Sequence, residues 1–536
     1  MSAGVPSRRL LRSSAVVGAG TALSRASGLL RVGALAYAMG ASPLTDAYNV
    51  ANNTPNIVYE LVLGGILSAT LVPIFVEQAE RDDRRSRRAV SSVLSVAVVA
   101  LVGLTVIAMV AAPVIVKLYT WRLSDAEARA QEAVAVPLLR LFLPQILFYG
   151  LTTLGTALLH ARRRFALPAF APVLNNVVVS AMLVALPWAA GREPSLDLVR
   201  DDRGLLVLIG LGTTAGVVLM TVVLWPALRA AGWRVRWWPD WRHPSVASLA
   251  RLSGWTVGYV VANQLALFVI LALANQGEGA LSAYAFAFVF FQLPHGLFAV
   301  SIMTTTSPEL ASAAGRGQWD DFRARFSLGT RLILLVVVPA AAGYVVLAEP
   351  LVDTVLGRGA FSAADVALTA DVLANFALGL AGFSLYLYAL RGFYALRDTR
   401  TPFVLNVVEN SVNVVLAVAL VGRYGVQGLA AAYSVAYTVA GVLAFVVLRR
   451  RIGGLDGHRL VATGARLVTA TAAMVAVVVA VTSFAGDDQG AGALVRVALA
   501  VPAGAIAYGA VLVALRTEEL TGLLDRRRSR GQSRSK

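Results

Sequence analysis

The 536-residue chain contains no cysteine, which excludes disulfides, thiolate catalysis and cysteine-ligated metals. Histidine is scarce. His160, His243, His295 and His458 lie far apart, without the His-x-x-x-His spacing of a zinc enzyme. Charge is thin as well: Asp, Glu, Lys and Arg make up 14% of the residues, against about 25% in an ordinary soluble domain. With 57% hydrophobic residues, there are too few polar side chains to coat the two to four water-soluble domains that this length would otherwise suggest. A polytopic, all-α membrane protein is the reading that remains. No phosphate-binding glycine loop, nucleophile motif or metal constellation is present, so a transporter is expected rather than an enzyme.

Fourteen apolar stretches can be marked, from 14–40 to 491–515, each about 20 residues or longer and able to cross the hydrocarbon core as a helix. Basic residues outnumber acidic ones by 47 to 30, and 45 of the 47 are arginine. With the amino terminus in the cytoplasm, alternate loops and the tails hold 34 basic residues inside and 8 outside. The positive-inside rule then puts both termini in the cytoplasm and requires an even number of spans. The surplus reports topology, so no nucleic-acid partner is expected, and the basic tail belongs beside anionic headgroups. Arg25 and Arg31 interrupt the first apolar run, which speaks against a cleavable signal peptide. Five arginines fall within spans: Arg25, Arg31, Arg140, Arg466 and Arg496. Arg466 and Arg496 read as side chains snorkelling near helix ends. Arg25 and Arg31, mid-span, call for a polar cavity.

Two segments match at an offset of 234 residues. His160-Ala-Arg-Arg-Arg-Phe-Ala-Leu-Pro168, with Asn175-Asn176 following, parallels Tyr394-Ala-Leu-Arg-Asp-Thr-Arg-Thr-Pro402 with Glu409-Asn410. Thr54-Pro55-Asn56 loosely mirrors Leu293-Pro294-His295 at an offset of 239. Repeats six spans apart share an orientation. The expected architecture is therefore two six-helix lobes related by a pseudo-two-fold along the membrane normal, with two appended helices, as in transporters that bind between their lobes. The boundaries are 1–230 for the N-terminal lobe (helices 1–6), 231–452 for the C-terminal lobe (helices 7–12), 453–516 for helices 13 and 14, and 517–536 for the tail.

Polar residues gather on faces. On span 2, Asn49, Asn52, Asn53, Asn56, Tyr59 and Glu60 share an arc of about 120°. On span 11, Asn406, Glu409, Asn410 and Asn413 stand at i, i+3, i+4 and i+7. Span 7 adds Asn263 and Gln264, and span 8 adds Gln292 and His295. Interhelical amide bonding explains such residues singly. Four on one face with a carboxylate suit a proton or a Na⁺ ion, since hard cations prefer oxygen ligands. Arg25 and Arg31 suit a pyrophosphate.

Ser24-Arg25-Ala-Ser-Gly28-Leu-Leu-Arg31, Thr45-Asp46-Ala47, Pro55-Asn56, Val72-Pro73-Ile74, Pro168-Ala-Phe-Ala-Pro172 and Gly392-Phe-Tyr394-Ala-Leu-Arg397-Asp398 together resemble the MurJ/MviN lipid II flippases of the multidrug/oligosaccharidyl-lipid/polysaccharide exporter superfamily. The resemblance runs across nearly the whole chain. It implies alternating access moving an undecaprenyl-pyrophosphate-linked peptidoglycan precursor, a saccharide-peptide, across the plasma (inner) membrane. It also implies no cofactor, coupling to Na⁺, H⁺ or the membrane potential, and an association with cell-wall synthesis proteins. The candidate substrate-binding residues are Arg25, Arg31, Asp46, Asn49, Asn53, Asn56 and Glu60. Asn263, Asn406, Glu409, Asn410 and Asn413 are the candidate cation ligands. The chain departs from the family at Tyr59, Glu60, Phe288 and Val289, where many members carry charged residues, mostly arginine. Flipping of another lipid-linked saccharide, cation-coupled multidrug export on the same scaffold, and a transport-inactive role in cell-wall assembly stand as alternatives.

Overall fold

The computed structural model describes residues 8–61, Phe75, 84–233, 236–242 and 254–517, and every regular element among them is helical. That follows from the composition, since a helix satisfies its own backbone groups where no water is available to do so. The latter part of span 2, with its Val72-Pro73-Ile74 motif, and the basic tail beyond Thr517 lie outside the described residues.

The chain forms two compact units, residues 1–282 with 359–361, and residues 283–358 with 362–536. The first contains α1 (Arg8–Met39), α2 (Pro43–Tyr59), α3 (Arg84–Thr120), α4 (Asp125–Phe142), α5 (Gln145–Ala161), α6 (Ala166–Ala190), the short α7 (Leu196–Asp201), α8 (Arg203–Val222), α9 (Leu224–Ala230), α10 (Gly254–Ala274) and the first turn of α11 (Ala280–Pro294). Within it α1 lies along α6, α6 along α8, and α2 along α4. Leu159, Ala171, Val217, Met220 and Leu224 pack α5, α6, α8 and α9 together. Starts are written locally: Ser42 caps α2 with Pro43 following, and Ser124 and Glu127 form a reciprocal capping box on α4.

The second unit holds the rest of α11, a π-helical turn (His295–Ala299), α12 (Val300–Gly315), α13 (Trp319–Leu356), α14 (Ala363–Ala377), α15 (Leu380–Ala395), α16 (Arg400–Ile452), α17 (Gly457–Phe484) and α18 (Gly490–Ala514). α17 and α18 pair with each other and with α13, where Leu347, Met474, Val478 and Ala500 form a small core. Ile506 on α18 is 72% exposed, as an apolar face turned to lipid should be.

Among the described residues ten helices are long and apolar enough to cross a membrane, or eleven if the bent pair α14 and α15 is one span. Three features separate this count from fourteen. α1 is 32 residues long but too polar to qualify, and only 17 residues of α2 are described. α16 is counted once, although its 53 residues would measure about 80 Å if straight. They are not straight, because Gly425 has φ +55° and ψ −141°, a conformation that glycine alone adopts freely. A Cβ on Gly428 would lie 2.9 Å from the Leu420 carbonyl oxygen, whereas eight residues of continuous helix would separate the two by about 12 Å. The chain turns back at this glycine.

The repeat has a conformational counterpart. Arg163 and Arg397, 234 residues apart, both adopt left-handed backbone (φ +55° and +58°), which is uncommon outside glycine. The next N–H in each turn, of Arg164 or Asp398, donates to a carbonyl five residues back, Leu159 at 2.8 Å or Phe393 at 3.0 Å, closing the same helix-terminating motif. Gly40 and Gly279, 239 apart, are likewise both left-handed.

Candidate functional site

On α1, Arg25 is exposed and Arg31 is half-buried, and the Arg31 Nε has no hydrogen-bond partner. The neighbouring serines are already engaged. Asn176 of α6 donates through Nδ2 to Ser27 Oγ (3.0 Å) and to the Ser24 carbonyl (3.2 Å), so this repeat amide joins helices. The polar face of α1 thus pins the helix at Ser24 and Ser27 while leaving both guanidinium groups with donors to spend.

The polar residues of α2 divide into two groups. Asp46, 1% exposed, accepts from Gly279 N at Oδ2 (3.0 Å), and at Oδ1 from Ser282 N (2.8 Å) and Ser282 Oγ (2.5 Å). Asn49 Nδ2 donates to Ser282 Oγ at 3.1 Å. Helix starts leave N–H groups without partners, and here a side chain from α2 satisfies those of α11. Gly279 permits the approach: with φ +80°, any Cβ there would stand 1.9 Å from the Ala41 carbonyl oxygen. Asp46 and Asn49 are therefore occupied as positioning groups. Asn53 and Glu60 are half-buried and Asn56 is exposed. This set, spaced i, i+3 and i+7, has no side-chain hydrogen bond to another helix among the described residues. Tyr59 is buried, its hydroxyl 2.7 Å from Thr153 Oγ1 and its ring against Tyr149.

In the second unit, Asn406, Glu409, Asn410 and Asn413 are all buried on one face of α16. Asn410 Nδ2 donates to the Asn406 carbonyl at 2.9 Å. Both Glu409 carboxylate oxygens, both Asn406 amide atoms and the Asn413 Oδ1 are buried without a hydrogen-bond partner. Buried polar groups are normally paired, so this cluster has unused oxygen ligands. Asn263 is half-buried on α10 in the first unit, so the five candidate cation ligands are distributed over both units. Among the described residues no three His, Cys, Asp or Glu side chains are grouped for a metal ion. Phe288 packs against Phe291, Phe376 and Tyr433 with ring centroids 5.5 to 5.8 Å apart. The position carries aromatic packing in place of charge.

Some key residues escaped sequence reasoning. Ser282 lies in an apolar run, and the reciprocal amide pair of Gln131 and Asn275 (3.0 and 3.2 Å) spans 144 residues. Arg496 does more than snorkel: its Nε donates to the Ala485 and Gly486 carbonyls (2.8 Å each), and its guanidinium pairs with Asp488.

The family model for lipid II flippase MurJ matches residues 35–498, most of the chain. The protein belongs to the MurJ family. Curated MurJ relatives include the lipid II flippase of Burkholderia cenocepacia, 31% identical over 448 residues and covering 82% of this chain and 84% of its own length. The probable lipid II flippase of Rhizobium meliloti is 29% identical over 441 residues, covering 82% and 80%. A solved lipid II flippase MurJ in an inward closed conformation superposes with a TM-score of 0.74 at 20% identity, covering 93% of this chain and 99% of that one. An inward-facing MATE transporter of the MOP superfamily gives 0.65 at 13% identity, covering 80% and 94%. MurJ membership makes this chain a multi-span membrane transporter, and its fold is also like that of the MATE transporter.

Proposed function

We propose that the protein carries lipid II from the inner to the outer leaflet of the plasma membrane by alternating access, through fourteen spans with both termini in the cytoplasm. Family membership is the observation that carries this reading. The exposed guanidinium of Arg25 and the unpartnered Nε of half-buried Arg31 support it, since planar forks of donors suit a pyrophosphate. Asn53, Asn56 and Glu60 meet the sugar or peptide, and Asp46 and Asn49 hold the helices that present them. The unpaired oxygens of Glu409, Asn406 and Asn413, with Asn410 beside them on α16, take a proton or Na⁺ that couples the cycle. The transport role needs no cofactor.

The test is replacement of a host's own lipid II flippase. Depletion rescued by this gene, and not by well-expressed Arg25→Ala or Arg31→Ala variants, is the expected result. Failure of the parent chain despite correct insertion would refute the proposal. The aromatic packing of Phe288 favours a second reading, transport of a different lipid-linked saccharide, which predicts no rescue but retention of the arginine requirement with that substrate.

A further inference from the structure

Five of the nine tryptophans fall within residues 225–241, and the segment that follows α9 is held in an unusual way. Its backbone is tied to α3 at every second residue. Arg236 N donates to Ser91 Oγ (3.2 Å), Trp238 N to Ser95 Oγ (2.8 Å), and Ser92 Oγ donates to the Asp240 carbonyl (2.9 Å). Ser91, Ser92 and Ser95 are buried beneath it. An Asx turn, Arg242 N to Asp240 Oδ1 at 3.0 Å, fixes its end and occupies its acidic side chain.

With the backbone spent on the serines, the side chains are left facing outward. Trp237, Trp238 and Trp241 are each more than half exposed, and Arg236 and Arg242 are exposed beside them. Arg88 stacks over the Trp238 ring at 5.6 Å, and Arg229 over the exposed Trp225 at 5.1 Å. Leaving three indoles in water would be costly. At a bilayer surface the same rings are favourable, with the apolar body at the acyl boundary and the N–H among headgroups. Guanidinium groups among them are donors for phosphate.

We propose that this serine-anchored strap is a binding surface for anionic phospholipid headgroups, in which Arg88, Arg236 and Arg242 take the phosphate and Trp237, Trp238 and Trp241 seat at the acyl boundary. The surface fastens the first unit to an anionic leaflet and is separate from the groups proposed to bind substrate. Charge selects the occupant, since the described part of the strap presents cations and its one carboxylate is already bonded.

The test uses the full chain in phosphatidylcholine vesicles containing equal mole fractions of either brominated phosphatidylglycerol or brominated phosphatidylcholine, with tryptophan quenching as the readout. Phosphatidylglycerol is expected to quench more strongly. The excess should vanish when Trp237, Trp238 and Trp241 are together replaced by Phe, and lipid preference should fall about fivefold for each of Arg88→Gln, Arg236→Gln and Arg242→Gln. Ser91→Ala with Ser95→Ala should weaken it with every arginine in place. Equal quenching by the two lipids, or an excess that survives loss of all three arginines, would overturn the proposal, as would an excess abolished by millimolar inorganic phosphate at constant ionic strength. An excess indifferent to the serine changes would overturn the strap's part in it. The readout requires no transport, so its failure is distinguishable from failure of the flippase reading.

Discussion

Replacing Asp46 by alanine removes three acceptor contacts at once, from Gly279 N, Ser282 N and Ser282 Oγ. The donors stay buried, and each buried donor left unsatisfied costs about 1–3 kcal/mol. Some of that is recovered as α11 shifts or admits water, so about 3 kcal/mol is a reasonable net cost for local opening. Asp46→Asn keeps one oxygen, good for two of the three contacts, but sets an NH₂ against the remaining N–H, and about 1–2 kcal/mol follows. Hydrogen exchange reports this directly, because 3 kcal/mol is roughly a hundredfold in the opening equilibrium. In purified protein, amides 279–282 should exchange roughly a hundredfold faster in Asp46→Ala, by an intermediate factor in Asp46→Asn, and at the parent rate in the turn at 162–164. Transport should fall in the same order. Unchanged exchange at 279–282 in Asp46→Ala would refute the capping argument, whatever happened to transport.

Two further outcomes follow from other groups. Glu409→Gln removes a buried carboxylate that has no partner, so detergent unfolding should show no loss of stability, while transport in proteoliposomes loses its dependence on Na⁺ or pH; a retained dependence would remove Glu409 from coupling. Asp398 lies between α15 and α16, where burial alone would raise its pKa; hydrogen bonds from Thr401 Oγ1 (2.6 Å) and Thr401 N (3.0 Å), with the Arg451 ion pair, outweigh burial and hold it below the ordinary value of 3.8. A depressed carboxyl contributes stability that is present above the unfolded pKa and lost as pH falls through the folded one. Asp398→Asn should therefore lower stability at pH 7 and flatten the loss of stability below about pH 4, which unfolding curves at stepped pH will detect.

What could be read in the sequence was local. Composition makes the helices unavoidable, the i, i+3, i+4, i+7 spacing put Asn406, Glu409, Asn410 and Asn413 on one face, and they are all buried there. The matched arginine turns adopt the same left-handed backbone at Arg163 and Arg397. Roles that depend on a distant partner were not legible. Asp46 shares a helix with Asn53 and Asn56, and periodicity alone cannot separate a group spent on Ser282, 236 residues away, from one that is not. The serines of α3 look like polar interruptions of an apolar run until the strap at 236–240 is seen lying on them.

The few charges inside the spans divide into those that are bonded and those that are not. Arg496 is spent on its own hairpin, and Asp46 on the start of α11. Arg31 and Glu409 retain side-chain atoms that are buried and unpartnered, and Arg25 stays exposed. Unpaired polar groups in a membrane protein are costly, and a fold that retains them without use would gain by replacing them with apolar residues. Arg25 and Arg31 belong to the first unit and Glu409 on α16 to the second, so the groups proposed for the anionic substrate and for the coupling cation stand on different parts of the chain. Loss of ion dependence in Glu409→Gln should therefore leave the arginine requirement for substrate intact.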